Sequence, residues 1–322
     1  MRIIETTNFQ LNKDSAVTIG KFDGIHRGHR ELLDRIIEKK KQGLQTVVFT
    51  FDKSPAEFFS GELIPSLTTK EEKRRIFEFL GVDVLIEYPL TKESAAISPE
   101  DFVNIILCKQ IKAKYIAAGT DLSFAHMGKG DATLLKVMAY EDYNCIMSCG
   151  IDNKNEKRYE VDIIDKINID GEEVSSSLIR NVVASGDMSK ANKLIGVPYA
   201  VSGYVEHGRE LGRKMGFPTV NLKISNEKLV PPYGVYYTEV SIEGTHYNGI
   251  TDIGSKPTVT DSRQVFAETN ILDFDDDVYG KRITVKLLEF ARPEQKFSSV
   301  DELKARIAID IQNGEDFFSK KI

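Results

Sequence analysis

The apolar segments change character once along this chain, and that change limits the folds open to it. Up to about residue 185, short apolar runs alternate with helical stretches. Residues 16–20 read as a buried strand, and residues 28–42 place Leu32, Leu33, Ile36 and Ile37 on one helical face. Residues 46–51 form the next strand. A charged helix over 71–80 leads to a strand at 84–86. Ser98 and Pro99 open another helix, serine as cap and proline in the first turn. Residues 115–119 are a further strand. Repeated strand–helix units build a parallel sheet buried on both faces. After about residue 199, strands at 201–206, 235–242, 265–272 and 283–290 follow one another with turn residues and no clear helix between them, the mark of an antiparallel sheet or barrel. A last helix starts near Ser299, where Ser299 and Glu302 have capping-box spacing and Leu303, Ile307 and Ile311 share a face. Residues 186–198 join the halves, so domains of 1–185 and 186–322 are expected. The fold class is α/β: a parallel-sheet domain followed by a small antiparallel barrel with a C-terminal helix.

Charge and cysteine content narrow the functions. The net charge is -6 and both signs are mixed along the chain, which argues against a sequence-independent nucleic-acid binder while leaving room for a local basic nucleotide pocket. No apolar run approaches the roughly 20 residues of a membrane helix, and the first residues lack a signal-peptide pattern, so a cytoplasmic protein away from membranes is expected. The 3 cysteines, Cys108, Cys145 and Cys149, fit no disulfide framework and read as small core residues. Oligomeric state is not written in the sequence.

Two stretches carry chemistry. The first, residues 20–29 (GKFDGIHRGH), follows the first strand and opens the first helix. A helix start presents unpaired N–H groups and partial positive charge, which attract phosphate. Gly24 and Gly28 allow close backbone approach, and His26 and His29 add donors able to follow charge growing on a leaving pyrophosphate. A histidine pair also fits a metal, although helical ligands prefer i, i+4 spacing and no third ligand is near; two surface histidines are the plainer alternative. Ser175 to Ser177 and Arg180 form another helix start, which alone is only a cap. The second stretch, residues 203–222, has glycines and cations in a loop between strands, suited to a phosphate cradle or simply to a tight turn. Within it, Thr219 and Asn221 offer neutral oxygens to a Mg²⁺ held mainly by ATP phosphates. Strand alternation puts Glu268 and Asn270 on one face.

The H-x-G-H after strand one, with the serine-rich, arginine-bearing helix start, resembles the nucleotidyltransferase superfamily. Residues 20–29 and 175–180 are similar to the FMN adenylyltransferase domain of bacterial bifunctional riboflavin kinase/FAD synthetases. The pattern of the riboflavin kinase domain of that family is present at every motif position from Gly203 to Leu222. The resemblance spans nearly the whole chain. It implies a Rossmann-like first domain and a riboflavin kinase barrel, using ATP and Mg²⁺ to convert riboflavin to FMN and FMN to FAD. It further implies catalysis by His26, His29, Arg180 and Glu268. Nucleotide binding would fall to Gly20, Phe22, Asp23, Gly24, Gly28, Ser176 and Ser177 in one half. In the other it would fall to Gly203, His207, Gly208, Leu211, Gly212, Arg213 and Gly216. Thr219 and Asn221 would hold the metal, and Asp121, Phe124, Arg292 and Glu294 would lie by the flavin. The chain departs from the family pattern at Ser123 (often arginine), Ala125 (mostly glycine) and Asp252 (usually asparagine). These departures motivate an alternative in which only one activity is retained.

Overall fold

The computed structural model describes residues 1–140, 157–206, 216–257 and 263–320. It divides into two compact units, one of Met1–Ile64 with Lys70–Ser175, the other of Pro65–Thr69 with Ser176–Ile322.

The first unit is built on strands β1 (Arg2–Ile4), β2 (Ser15–Ile19), β3 (Gln45–Phe51), β4 (Val84–Tyr88), β5 (Ala113–Gly119) and β8 (Glu160–Ile164), in the order β1-β4-β3-β2-β5-β8 and all parallel. Two short hairpins, β6 (Ser123–Phe124) with β7 (Gly130–Asp131) and β9 (Asn168–Ile169) with β10 (Glu172–Glu173), stand beside it. β2 and β3 are buried along nearly their whole length because both sheet faces are covered. Val17, Val47, Phe49 and Ile86 pack on one side with Phe102, Val103, Ile106 and Leu107. Ala16, Val48 and Leu85 pack on the other with Leu32, Leu33 and Ile36 of helix α1 (Arg27–Glu38) and with Phe77.

The expected strands and helices of this half are present, with one change of type. Ser98 caps a helix start at Pro99 as expected, its side chain accepting from the Asp101 amide. From Phe102 to Gln110, however, the turns widen to a π-helix, closed by Ile111 N–H donating to Ile106 O at 2.9 Å. The hydrophobic residues 102, 103, 106 and 107 are buried in either geometry, so spacing alone does not signal the wider turn.

In the second unit, β11 (Tyr199–Glu206), β12 (Val220–Lys223), β13 (Gly234–Ile242), β14 (Thr245–Pro257), β15 (Arg263–Ile271) and β16 (Arg282–Pro293) close into an antiparallel barrel in the order β11-β12-β15-β14-β13-β16. The joining segment is not an open linker: Asp187 caps a helix over Met188–Ile195 whose Asn192 side chain donates to Leu287 O at 2.8 Å. β14 escaped the sequence reading because its glycines and polar residues hide the alternation. Val201, Leu222, Tyr236, Val240, Ile253, Ala267, Val285 and Leu287 fill the interior. The C-terminal helix (Val300–Ser319) begins as expected, Ser299 accepting from the Glu302 amide, but the Glu302 carboxylate reaches back to Ser298 N and Oγ instead of completing the box. It covers Val235, Ile250 and Tyr237 with Ile311, Phe317 and Phe318.

Two glycines separate kinds of constraint. Gly244 turns the β13–β14 hairpin at φ +90° with nothing near its missing side chain, whereas at Gly234 (φ +147°) a Cβ would collide with the Arg292 carbonyl. Gly234→Ala should therefore cost about 3 kcal/mol or more and Gly244→Ala about 1–2 kcal/mol in denaturant unfolding followed by a barrel-specific probe; equal costs would contradict this packing.

Candidate active sites

In the first unit the strand order reverses at β2, which has β3 on one side and β5 on the other. Loops at the carboxyl ends of strands beside such a reversal form a crevice that binds ligands. The loop after β2 is residues 20–26. Its backbone takes positive φ at Phe22 (50°), Gly24 (84°) and Ile25 (39°), two of them costly for residues with side chains. Burial holds the turn: Phe22 is 0% and Ile25 1% exposed, and Phe22 meets Phe77 edge-on at 5.5 Å.

This turn delivers His26 and His29 together. Their rings stack at 3.8 Å between centroids, and Phe22 lies 5.1 Å from His29. The glycine between them matters: a Cβ on Gly28 would sit 3.3 Å from Cε1 and Nδ1 of His26. Both Nδ1 atoms are buried without a hydrogen-bond partner within the protein. Burial drives His26 down to about 4, against the opposing pull of Asp23 and Asp121. Burial, then the charges of His26 and Lys73, holds His29 well below the usual imidazole range. Both rings are therefore neutral at neutral pH, with buried nitrogens open to a partner. His26 is also the N-cap of α1, with extended backbone and no side-chain cap, so the first-turn amides face the same place.

The loop after β5 brings in Asp121, whose charge is felt at His26 and whose Oδ2 lies 3.5 Å from Lys166 Nζ. Phe124 is a core residue, 4% exposed, its ring tilted against that of Phe102 at 5.1 Å and seated over Gly130, where a Cβ would collide with it. Ser176, Ser177 and Arg180 lie in the helix Ser176–Ser185 of the second unit, and Arg180 Nη1 donates to Pro65 O at 2.7 Å. Lys73 and Phe102 were missed from sequence; nothing in the spacing marks either.

In the barrel, His207, Gly208, Leu211, Gly212 and Arg213 lie outside the described residues, as do Cys145 and Cys149. Gly203 sits in β11, and Gly216 has φ +90°. Asn270 Nδ2 donates to Pro218 O at 2.8 Å, fixing the chain just ahead of Thr219. Asn221 on β12 and Glu268 on β15 are direct cross-strand partners, which places their Cβ atoms about 5 Å apart. The row continues through Asp252 on β14, Val235 on β13 and Arg292 on β16. Arg292 is engaged by Asp310 of the C-terminal helix, Nε to Oδ1 at 2.9 Å and Nη2 to Oδ2 at 2.5 Å. Glu294 occupies the space over Gly254, where a Cβ would collide with its Oε1. Thr219 and Asn221 supply two neutral oxygens, a donor set that fits Mg²⁺ carried on phosphates. Among the described residues, no group of three or more His, Cys, Asp or Glu side chains could hold a metal unaided.

A helix-start phosphate site on a parallel sheet, followed by a barrel that pairs a carboxylate with neutral oxygen donors, defines a two-site transferase acting on phosphates. The comparisons agree in order and extent. A family model described as FAD synthetase matches residues 8–178 and one described as riboflavin kinase matches residues 195–318. Bifunctional riboflavin kinase/FMN adenylyltransferases are similar over almost their whole length: that of Listeria monocytogenes is 33% identical over 98% of this chain and 96% of its own. That of Escherichia coli is 36% identical over 94% and 92%. A solved Streptococcus pneumoniae chain described as a macrolide-efflux protein superposes with a TM-score of 0.81 at 30% identity, covering 98% of this chain and 99% of its own. The chain belongs to the bifunctional riboflavin kinase/FMN adenylyltransferase family. No helix among the described residues is long and apolar enough to cross a membrane.

The histidine environment makes a direct prediction. In the ligand-free protein the His26 ring should titrate near 4 by NMR, and adding pyrophosphate should raise that midpoint, because an anion beside an imidazole favours its protonated form. An ordinary midpoint near 6.5, unmoved by pyrophosphate, would show that the rings are not the buried pair described.

Proposed function

We propose that each half of the chain runs its own ATP-dependent reaction, residues 186–322 making FMN from riboflavin and residues 1–185 making FAD from FMN. The observation that carries this reading is that each unit assembles its own phosphate-handling groups: the stacked, neutral histidines at the start of α1, and Glu268 paired across the strands with Asn221.

In the barrel, Glu268 accepts the proton of the ribityl 5′-hydroxyl as its oxygen attacks the γ-phosphorus. The bond from that phosphorus to the β–γ bridging oxygen breaks, and ADP leaves. Thr219 and Asn221 would hold Mg²⁺, which would supply positive charge against the transferring phosphoryl group. Asn270 keeps Thr219 in place through Pro218. Nucleotide binding falls, as the resemblance implies, to Gly203, His207, Gly208, Leu211, Gly212, Arg213 and Gly216, and flavin binding to Arg292 and Glu294.

In the first half, an FMN phosphate oxygen attacks the α-phosphorus of a second ATP and pyrophosphate leaves. Gly20, Phe22, Asp23, Gly24 and Gly28 shape the loop that admits the nucleotide. Neutral His26 and His29 gain charge-assisted hydrogen bonds as negative charge grows on the leaving group, and their protonation becomes easier there. The resemblance also assigns Arg180, Ser176 and Ser177 to this reaction, and Asp121 and Phe124 to its flavin. Riboflavin, FMN and ATP are the partners. The acidic net charge supports a reading without nucleic acid, and no helix among the described residues is long and apolar enough to cross a membrane.

Single substitutions should separate the halves. Glu268→Gln should lower ADP release from riboflavin and ATP by about 10²-fold or more while FMN still yields pyrophosphate. His29→Ala should do the reverse. Loss of both products in either variant, with the fold intact, would overturn the two-site assignment; ADP without pyrophosphate from the unmodified chain would favour retention of one activity alone.

A further inference from the structure

Asp252 is an acid where the family pattern has a neutral amide, and the barrel register sets it directly opposite Glu268. The two are on adjacent strands and share a face, so their Cβ atoms are about 5 Å apart. Glu294 converges on the same spot: over Gly254, a Cβ would collide with Glu294 Oε1 and lie 4.0 Å from Asp252 Oδ2. Three carboxylates thus crowd the middle of the row. The guanidinium closest in register, Arg292, is held by Asp310. Arg292 is thus shared, held by Asp310 while its charge also acts on Asp252.

We infer that Asp252 is a specificity-determining residue of the kinase barrel, admitting the uncharged ribityl chain of riboflavin and disfavouring flavins that already carry a 5′-phosphate. The inference rests on the proposed role of Glu268, which puts the 5′-oxygen of the flavin beside this row. A hydroxyl there donates a hydrogen bond to a carboxylate. A phosphate dianion there brings two more negative charges against Asp252, Glu268 and Glu294, and like charges at such range are costly. The same residue would speed release of the FMN formed on the barrel, which in this family is the substrate of the other half.

The charge state of Asp252 makes the effect pH-dependent. Although the side chain is open to water on one side, protein crowds it closely. That burial, then the charges of Glu294 and Glu268, raise it to about 6, against the pull of Arg292; Asp310 adds to the rise. The groups facing it are Glu268 on β15, Glu294 and Arg292 at the end of β16, and Asp310 on the C-terminal helix. Above about pH 6 Asp252 is ionised and discrimination is present; as pH falls through 6 the carboxyl becomes neutral and discrimination is lost.

The test uses the full-length protein and initial rates of ADP release, a product of riboflavin phosphorylation alone. FMN is added as competitive inhibitor against riboflavin, in the unmodified chain and in Asp252→Asn, which keeps the shape and removes the charge. At about pH 8 the ratio of the FMN inhibition constant to the riboflavin KM should fall by roughly tenfold in the variant. That difference should shrink toward about pH 5, where Asp252 is neutral. The FMN phosphate itself gains a proton below about pH 6 in both proteins, which weakens the repulsion there and shrinks the difference in the same direction. Glu294→Gln provides a second variant and should lower the ratio in the same direction. An unchanged ratio in both variants, or a difference that does not vary with pH, overturns the inference. No ADP from riboflavin in the unmodified chain would instead overturn the kinase assignment itself.

Discussion

Three threonine hydroxyls inside the barrel hold the register on which the kinase half depends. Thr238, Thr251 and Thr269 are fully buried and joined by hydroxyl contacts of 2.9 Å, and Thr238 also donates to Gly249 O at 3.0 Å. Buried hydroxyls are costly when unpaired, so this chain resists slippage of β13, β14 and β15. Side chains alternate along a strand, so Asp252 and Glu268, next to Thr251 and Thr269, must point the other way. A slip of one residue would turn Glu268 inward and leave threonine at the position proposed for the base. The outer row from Asn221 to Arg292 is the reverse face of this inner ladder.

The first unit meets a different constraint by different means. A parallel sheet gathers its loops at the carboxyl ends of the strands, and the reversal at β2 brings residues 20–29 and Asp121, far apart in sequence, into one crevice. Its ring nitrogens are buried and neutral, and its backbone is held in costly geometry by Phe22 and Ile25. In the reaction proposed for it, a site that waits uncharged and gains charge only against growing negative charge on phosphate would favour the transition state over the ground state. The barrel, by contrast, keeps carboxylates in place and must manage their mutual repulsion.

Much of this was legible in the sequence because it is local. The glycine and histidine spacing after a hydrophobic strand marked the first site, and alternation put Glu268 and Asn270 on one face. The Ser299 cap and the apolar period after it marked the last helix. What was hidden depends on other segments. β14 reads as polar and glycine-rich until Ile250 is seen under the C-terminal helix and Ile253 inside the barrel. The helix Met188–Ile195 did carry signals, an Asp187 cap and Met188, Ala191, Leu194 and Ile195 at helical spacing before Gly196, which were passed over. The π-helical turn at 102–110 has no sequence period of its own. Lys73 acquires meaning only beside His29, and Asp252 only opposite Glu268. Phe124, expected at the flavin, is a core side chain seated over Gly130, a pairing set by the β6–β7 hairpin.

The central claim is that one chain transfers two different parts of two ATP molecules to one flavin. The most direct measurement follows radiolabel from ATP into FAD made from riboflavin, with the FAD then cleaved into its FMN and AMP halves. Label from the γ-position should appear in the FMN half and label from the α-position in the AMP half. FAD bearing α-label but no γ-label, or no FAD from riboflavin at all, would contradict the account.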